Sequence, residues 1–397
     1  CAHRIEVDLE PACVIVCPVQ AIVPGDLDDP NSRIARLVAS QQVAVRKPEQ
    51  GTQPKLFYLG ADEASLTPAM QERGGRYAFA EGSRIPTPGQ SNVAGFEPAT
   101  TSGHEGVDLL RMARTVYDVA HPERPWGWKV STYLWTKSIA AGVFLLAALG
   151  IVGGLASGRG LTARAVPLIG LVFLVLTTVL LVLDLKRPDR FHYLLFKPNW
   201  RSWLVWGGWI LLAQGAVGTL WLLAGWQGNA PALQALAWPM LPLAAAAAGY
   251  SAFLFGQAEG RDFWQSPLVL PHLLVAAVTA GAASLLLAAR ALGSPDLVTH
   301  NRLVLALWVS LSVEGIALAA ELFSFHGTQD SARATKILTR GPLRLPLWGG
   351  VAFCGIALPW ALLLIPSSPV TSVAAAALAL GGLWLWEDLW VRAGQAL

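Results

Sequence analysis

Three cysteines, Cys1, Cys13 and Cys17, fall within the first 17 residues, and the fourth, Cys354, stands alone far downstream. Thiolates bind iron–sulfur clusters, and a closely spaced run that ends in Cys-Pro, as at Cys17-Pro18, is a bacterial ligand pattern in which the last cysteine serves a neighbouring cluster. A 4Fe–4S cluster takes four ligands, so three cysteines divided between two clusters complete neither. The missing ligands are expected upstream of Cys1. The plainer alternative is three incidental cysteines with Pro18 as a turn former, although free thiols have no structural reason to recur at this spacing in a reducing compartment. Cys354 sits in an apolar stretch and reads as a small buried hydrophobe. The chain opens without methionine or a signal pattern and reads as the remainder of a longer protein, with an upstream export signal left open.

A second set of residues stands out because of what surrounds it. Tyr133, Lys137, Asp184, His272, Glu314 and Glu321 interrupt long apolar stretches. An ionisable group in a membrane costs about 2.5–3.5 kcal/mol at the bilayer centre, so each is a functional hypothesis. Glu314 and Glu321 are seven residues apart, two helical turns along one face. Each has a plainer alternative. Lys137 near a helix start snorkels to the interface, Asp184 pairs with Arg187 or Arg190 to fix a turn, and His272, after Pro271 at a helix entrance, is interfacial. Glu314 is the hardest to explain without a buried pair or a proton path.

These residues must be held by membrane helices. The 397 residues are 54% hydrophobic and 14% charged, outside the usual range of a soluble domain. The charges concentrate before residue 130. A net charge of +3 without a basic stripe excludes nucleic acid as a partner. Eight stretches reach the roughly 20 apolar residues that cross a bilayer: Leu134–Ala156, Leu161–Leu183, Trp203–Ala224, Ala232–Phe255, Leu268–Ala289, Leu303–Phe325, Leu345–Ile365 and Thr371–Trp390. Short Gly- and Pro-bearing breaks between them imply antiparallel neighbours. Small residues at Ala244–Gly249 and Ala280–Ala283 allow close backbone approach, or are lipid-facing filler. An even number of spans puts both ends of the bundle on one face, which receives ten loop Lys and Arg against four opposite. That asymmetry points to a cytoplasmic face, or to basic residues that dock a partner. The polar intramembrane residues lean toward the same face. Trp126, Trp128, Trp203, Trp206, Trp209, Trp384 and Trp386 lie near helix ends and read as interface anchors.

Two stretches carry a family resemblance. The segment from Cys1 through Gly25-Asp26-Leu27-Asp28-Asp29-Pro30-Asn31-Ser32, with Lys47-Pro48-Glu49 and Gly51-Thr52-Gln53-Pro54-Lys55-Leu56-Phe57-Tyr58, resembles the end of the four-cluster ferredoxin subunits of molybdopterin oxidoreductases. In that pattern Cys1, Cys13 and Cys17 are metal ligands, Cys17 being the one handed to the paired cluster. The stretch with Pro125-Trp126-Gly127-Trp128, Asp184-Leu185-Lys186-Arg187-Pro188-Asp189-Arg190-Phe191, Lys197-Pro198-Asn199-Trp200-Arg201-Ser202-Trp203, Gly256-Gln257-Ala258 and Trp264-Gln265-Ser266-Pro267-Leu268 is similar to the NrfD/PsrC-type quinone-interacting membrane subunits of the same enzymes. These are usually separate polypeptides.

The resemblance implies a mainly α fold. An eight-transmembrane-helix bundle (130–397) follows a partial ferredoxin-like iron–sulfur domain (1–60) and a long irregular linker (61–129). It implies a membrane-anchor and electron-transfer subunit that links 4Fe–4S clusters to a quinone, menaquinone or ubiquinone, in the inner membrane. The substrate site is then on a molybdopterin catalytic partner. Quinone reduction takes two electrons and two protons. Tyr133 and His272 are expected to bind the quinone, Lys137 to bind or donate, and Asp184, Glu314 and Glu321 to relay protons. The alternatives are a proton-conducting transporter lined by Glu314, Glu321 and Lys137, and a passive membrane anchor. A transporter should show discontinuous helices in matching halves, and the sequence has no convincing internal repeat.

Overall fold

The computed structural model describes residues 2–7, 9–46, 48, 51, 53–61, 66, 126–156, 160–185, 188–258, 261–292, 297–323, 328–365 and 369–395. Cys1, Lys186, Arg187, His326 and most of the expected linker lie outside the described residues. The chain divides into two compact units, one made of Cys1–Pro24 with Trp126–Leu397 and the other of Gly25–Pro125.

In the N-terminal part of the first unit, α1 (Ala12–Val16) leads into Cys17-Pro18. The second unit holds α2 (Arg33–Ser40) and two short antiparallel strands, β1 (Val43–Ala44) and β2 (Tyr58–Leu59), with Val43 opposite Leu59. Helix α2 starts where Ser32 accepts a hydrogen bond from the Ala35 amide at 3.1 Å, satisfying one of the four amides that a helix start leaves free.

Among the described residues, seven helices of the first unit are long and apolar enough to cross a membrane. They are α3 (Trp128–Val152), α4 (Leu161–Asp184), α5 (Trp203–Trp226), α6 (Ala230–Gly256), α7 (Val269–Ala291), α8 (Leu297–Phe323) and, last in the chain, α11 (Pro369–Ala393). Between α8 and α11 come an amphipathic helix, α9 (Gln329–Thr339), and a shorter apolar one, α10 (Pro346–Leu362). Helix α10 takes the place of the seventh expected span. It has 17 residues, the lower edge of what crosses a bilayer, and its first 12 are wound as a π-helix.

Helices adjacent in sequence pack side by side, as short connections require. Helix α3 lies at the centre and packs on α4, α6, α7 and α11. The approach of α3 to α7 depends on two glycines: a Cβ on Gly142 would overlap the Ala277 carbonyl, and one on Gly281 would overlap the Gly142 backbone. Ala280, Ala282 and Ala283 are fully buried here, so the small-residue run is packing surface, not lipid-facing filler.

The two ends of the bundle meet. The Trp126 amide donates to Gln395 Oε1 at 2.9 Å, and Gln395 Nε2 donates to the Trp126 carbonyl at 2.9 Å. Trp126 also stacks on Trp264, with ring centroids 4.6 Å apart, inside a cluster with Phe255 and Trp390.

Two expectations are corrected by burial. Cys354 is exposed on the outer surface of α10, because Val351 and Gly355 occupy the packed face of that turn. Trp386 is 4% exposed and lies in the interior, whereas Trp206, Trp209 and Trp384 are on the outside.

Candidate functional site

The polar groups that interrupt the apolar helices converge in one half of the bundle. Lys137 is nine residues into α3, roughly 13 Å along the axis at the helical rise. It is fully buried and does not snorkel. Its Nζ donates to the Ala248 carbonyl and to Ser251 Oγ, both at 2.8 Å, and lies 5.0 Å from the centre of the Tyr250 ring. Glu387 of α11, 2% exposed, interacts electrostatically with both Lys137 and Glu314.

Glu314 projects from α8 at 5% exposure, with its Oε2 3.5 Å from His272 Nε2 of α7. Two carboxylate oxygens in this region, Glu314 Oε1 and Glu387 Oε1, are buried without a hydrogen-bond partner, and His272 Nε2 and Thr279 Oγ1, both beside Glu314, are buried with them. Two cavities of about 20 Å³ lie among them. One is lined by His272, Thr279, Glu314 and Trp386, the other by His272, Glu321, Trp386 and Glu387. Each has room for about one water, whose partners would be these buried atoms. Neither has room for an organic ring, whose pockets run to hundreds of cubic ångströms.

Glu321, two residues before the end of α8, accepts from Ser266 Oγ at 3.0 Å. Tyr133 is buried one turn before Lys137 and interacts electrostatically with Tyr250, Asp184 and Glu387. Asp184 is half-buried at the end of α4, removed from the Glu314–His272 contact. Of its two expected partners, Arg187 lies outside the described residues, and Arg190 lies 3.9 Å from Asp189. The structure therefore brings Lys137, His272, Glu314 and Glu321 to one cluster, with Tyr133 beside it and Asp184 at its edge.

Glu387 and Asp388 were missed from the sequence. Their signal was present, two adjacent carboxylates inside the last apolar span. Asp388 is engaged, at 2.7 Å from Arg392 and accepting from Ser131 Oγ at 3.3 Å, whereas Glu387 keeps an orphaned oxygen.

The face of the bundle nearest this cluster holds the cysteine segment. Asn199, 2% exposed, donates from Nδ2 to the Cys17 carbonyl at 2.7 Å and to the Ile15 carbonyl at 3.5 Å, and from its amide to the Pro18 carbonyl at 2.9 Å. Ser202 Oγ donates to the Val16 carbonyl at 3.3 Å, and Arg201 pairs with Glu10. Gln257 fixes this loop, accepting from the Trp203 amide and donating to the Arg201 carbonyl. Cys13 is exposed, and Cys17, half-buried, accepts an amide hydrogen bond from Ala21 at 3.2 Å. These are two of the four thiolates a 4Fe–4S cluster needs, and no group of three or more potential metal ligands occurs among the described residues. The described residues do not fit a complete cluster.

A bundle of long apolar helices around a buried ionisable cluster defines an integral membrane protein with ionisable groups in its interior. Residues 118–396 match the family described as "Polysulphide reductase, NrfD", and the chain therefore belongs to that family. The N-terminal region is similar to iron–sulfur subunits of respiratory reductases. A tetrathionate reductase subunit of Salmonella typhimurium is 49% identical over 72 residues, 18% of this chain and 29% of that protein. The arsenate respiratory reductase iron–sulfur subunit of a Shewanella species is 48% identical over 59 residues, 15% of this chain and 25% of that protein. A polysulfide reductase chain of Wolinella succinogenes is 50% identical over 50 residues, 13% and 26% respectively. The chain spans less than a third of each of these relatives.

Proposed function

We propose that this chain is the membrane-anchor and electron-transfer subunit of a molybdopterin-type oxidoreductase, exchanging electrons with menaquinone or ubiquinone as substrate. One observation carries the reading: the buried Lys137, Glu314, Glu321 and Glu387 and the largely buried His272 gather in the half of the bundle whose face binds the cysteine segment. Protons are thus available on the side where an iron–sulfur partner delivers or takes electrons. Family membership supports the quinone link, and the tetrathionate, arsenate and polysulfide reductase relatives support a catalytic partner chain.

In this reading Lys137, Asp184, Glu314 and Glu321 handle protons, and Tyr133 and His272 offer hydrogen-bond groups to the quinone, His272 through water because its two cavities admit no ring. Cys1, Cys13 and Cys17 are ligands of 4Fe–4S clusters whose remaining ligands are other residues than these. Residues 1–60 form the ferredoxin-like part, 61–129 the linker and 130–397 the bundle. The bundle crosses the inner membrane eight times, with α10 as the seventh crossing, which the meeting of Trp126 and Gln395 at one end supports. The cysteine face is cytoplasmic, as the loop charges suggest.

The test is steady-state turnover of the membrane-purified complex with a soluble quinone analogue. Lys137→Met and Glu314→Gln should each lower kcat by about a hundredfold, the lower end of general acid–base contributions. Normal assembly with unchanged quinone kinetics in both variants would remove these residues from the reaction.

A further inference from the structure

We propose that the interior of the bundle holds a one-sided proton wire in which two internal waters join Glu321, Glu387, His272 and Glu314, closed toward the opposite face. The inference deepens the proposed function, and rests on it only for the destination of the protons. Its basis is a coincidence of two independent features. Glu314 Oε1 and Glu387 Oε1 are buried without a hydrogen-bond partner, and two water-sized cavities lie beside them. His272 and Trp386 line both cavities, so they form the partition between them. Glu321 and Glu387 line the outer cavity, while Glu314 and Thr279 line the inner one.

A water in each cavity would find two or more polar partners, the condition for a buried water to be retained. Proton transfer needs groups within hydrogen-bond reach or separated by one water. The route runs from Glu321, which the Ser266 hydroxyl holds near the end of α8, through the outer water to Glu387 and His272, then through the inner water to Glu314.

Beyond Glu314 and Thr279 the packing changes character. Toward the opposite face the buried cluster is Ala282, Ala283, Leu286, Leu307, Leu311, Ala376 and Ala379. Of the two nearby hydroxyls on α8, Ser310 donates to the Leu307 carbonyl at 3.0 Å, and Ser312 donates to the Trp308 carbonyl at 2.8 Å while accepting from the Trp360 indole. A cavity of about 840 Å³ borders this plug, but apart from Thr162, Thr299, Arg302 and Ser310 its lining is apolar, and the wire is taken to end at Glu314 because that lining holds too few polar groups to order a file of water. Both protons that complete a quinol O–H pair, with two electrons from the iron–sulfur partner, therefore enter from the cysteine face. On quinol oxidation they leave by the same route. The chain then couples quinone chemistry to proton uptake on one side without moving protons across the bilayer.

The experiment uses the full chain in two preparations. In nanodiscs, the infrared O–H stretch of internal waters is identified by its shift in H2 18O. Two such bands are expected: Glu387→Gln should move one, Glu314→Gln the other, and His272→Phe both. Absence of 18O-sensitive bands, or one band moved by both carboxylate variants, would overturn the wire. Should Glu387→Gln fail to assemble, Glu321→Gln reports on the same outer water. In proteoliposomes under a potassium diffusion potential, an entrapped pH dye should show proton entry no faster than in empty vesicles. Conduction above that level would overturn the closed end. Quenching of tryptophan fluorescence by a quinone analogue separates the two readings, because lost quinone binding with intact water bands sinks the quinone assignment alone.

Discussion

Replacing Asn199 by alanine removes two side-chain hydrogen bonds that hold the cysteine segment to the bundle, those to the carbonyls of Cys17 at 2.7 Å and Ile15 at 3.5 Å. A neutral hydrogen bond contributes about 0.5–1.5 kcal/mol net, and the longer of these two belongs at the low end. The segment keeps the Asn199 amide bond to Pro18, the Ser202 bond to Val16 and the Arg201–Glu10 pair. Docking should therefore weaken by about 1–2 kcal/mol without being lost, a factor of roughly 5–30 in the undocked population. Hydrogen exchange of the full chain in nanodiscs reads this directly. The amides of Val14, Ile15 and Cys17, which bond within the segment's own turns, should exchange faster by that factor, while those of the central helix α3 stay unchanged. Unchanged protection at 14–17 would show that Asn199 does not hold the segment. A rise that extends through α3 would show that the loop supports the whole bundle instead.

Two further outcomes follow from packing and topology. Gly142→Val places side-chain atoms where the α7 backbone passes, and should lower stability in detergent by at least about 1–3 kcal/mol, read as the shift in thermal unfolding against Gly208→Val, whose added Cβ meets nothing within 4 Å. Reporter fusions after Gln395 and in the 197–202 loop should report the same side of the membrane, and those in the Gln227–Asn229 turn the other side. Opposite sides for the first two would remove α10 as a crossing.

Much of this fold is legible from hydropathy, because only helices satisfy their own backbone in lipid. Seven expected spans coincide with long helices, and the break at Gln227-Gly228-Asn229 is a turn whose Asn229 caps α6 through the Ala232 amide. Helix α3 begins at Trp128, before the expected Leu134, because its polar first turns face protein: Lys129 donates to the Leu183 carbonyl and Ser131 to Asp388. Helix α9 reads as loop in the sequence, since its charges mask the single buried apolar pair, Ala334 and Leu338, four residues apart. Within the site, the sequence marks Glu314 and His272 but not their contact. Lys137 looks like an interfacial lysine until its partners are known, and Ala248 and Ser251 are more than a hundred residues away. Glu387 was overlooked because a carboxylate near the end of a span reads as solvated. Only the inward turn of α11 puts it beside Lys137.

The pairing of α3 with α11 bears on how the protein is made. A chain enters the membrane in order of synthesis, so the first long span waits for the last. Until α11 arrives, the Trp126 amide lacks Gln395, Ser131 lacks Asp388, the Trp135 indole lacks the Leu380 carbonyl and Thr132 lacks the Trp384 indole. A lone helix with such unmet polar groups is a poor tenant of lipid. The newborn bundle should therefore stay open along the α3 seam, in the care of the insertion machinery, until α11 has emerged and inserted.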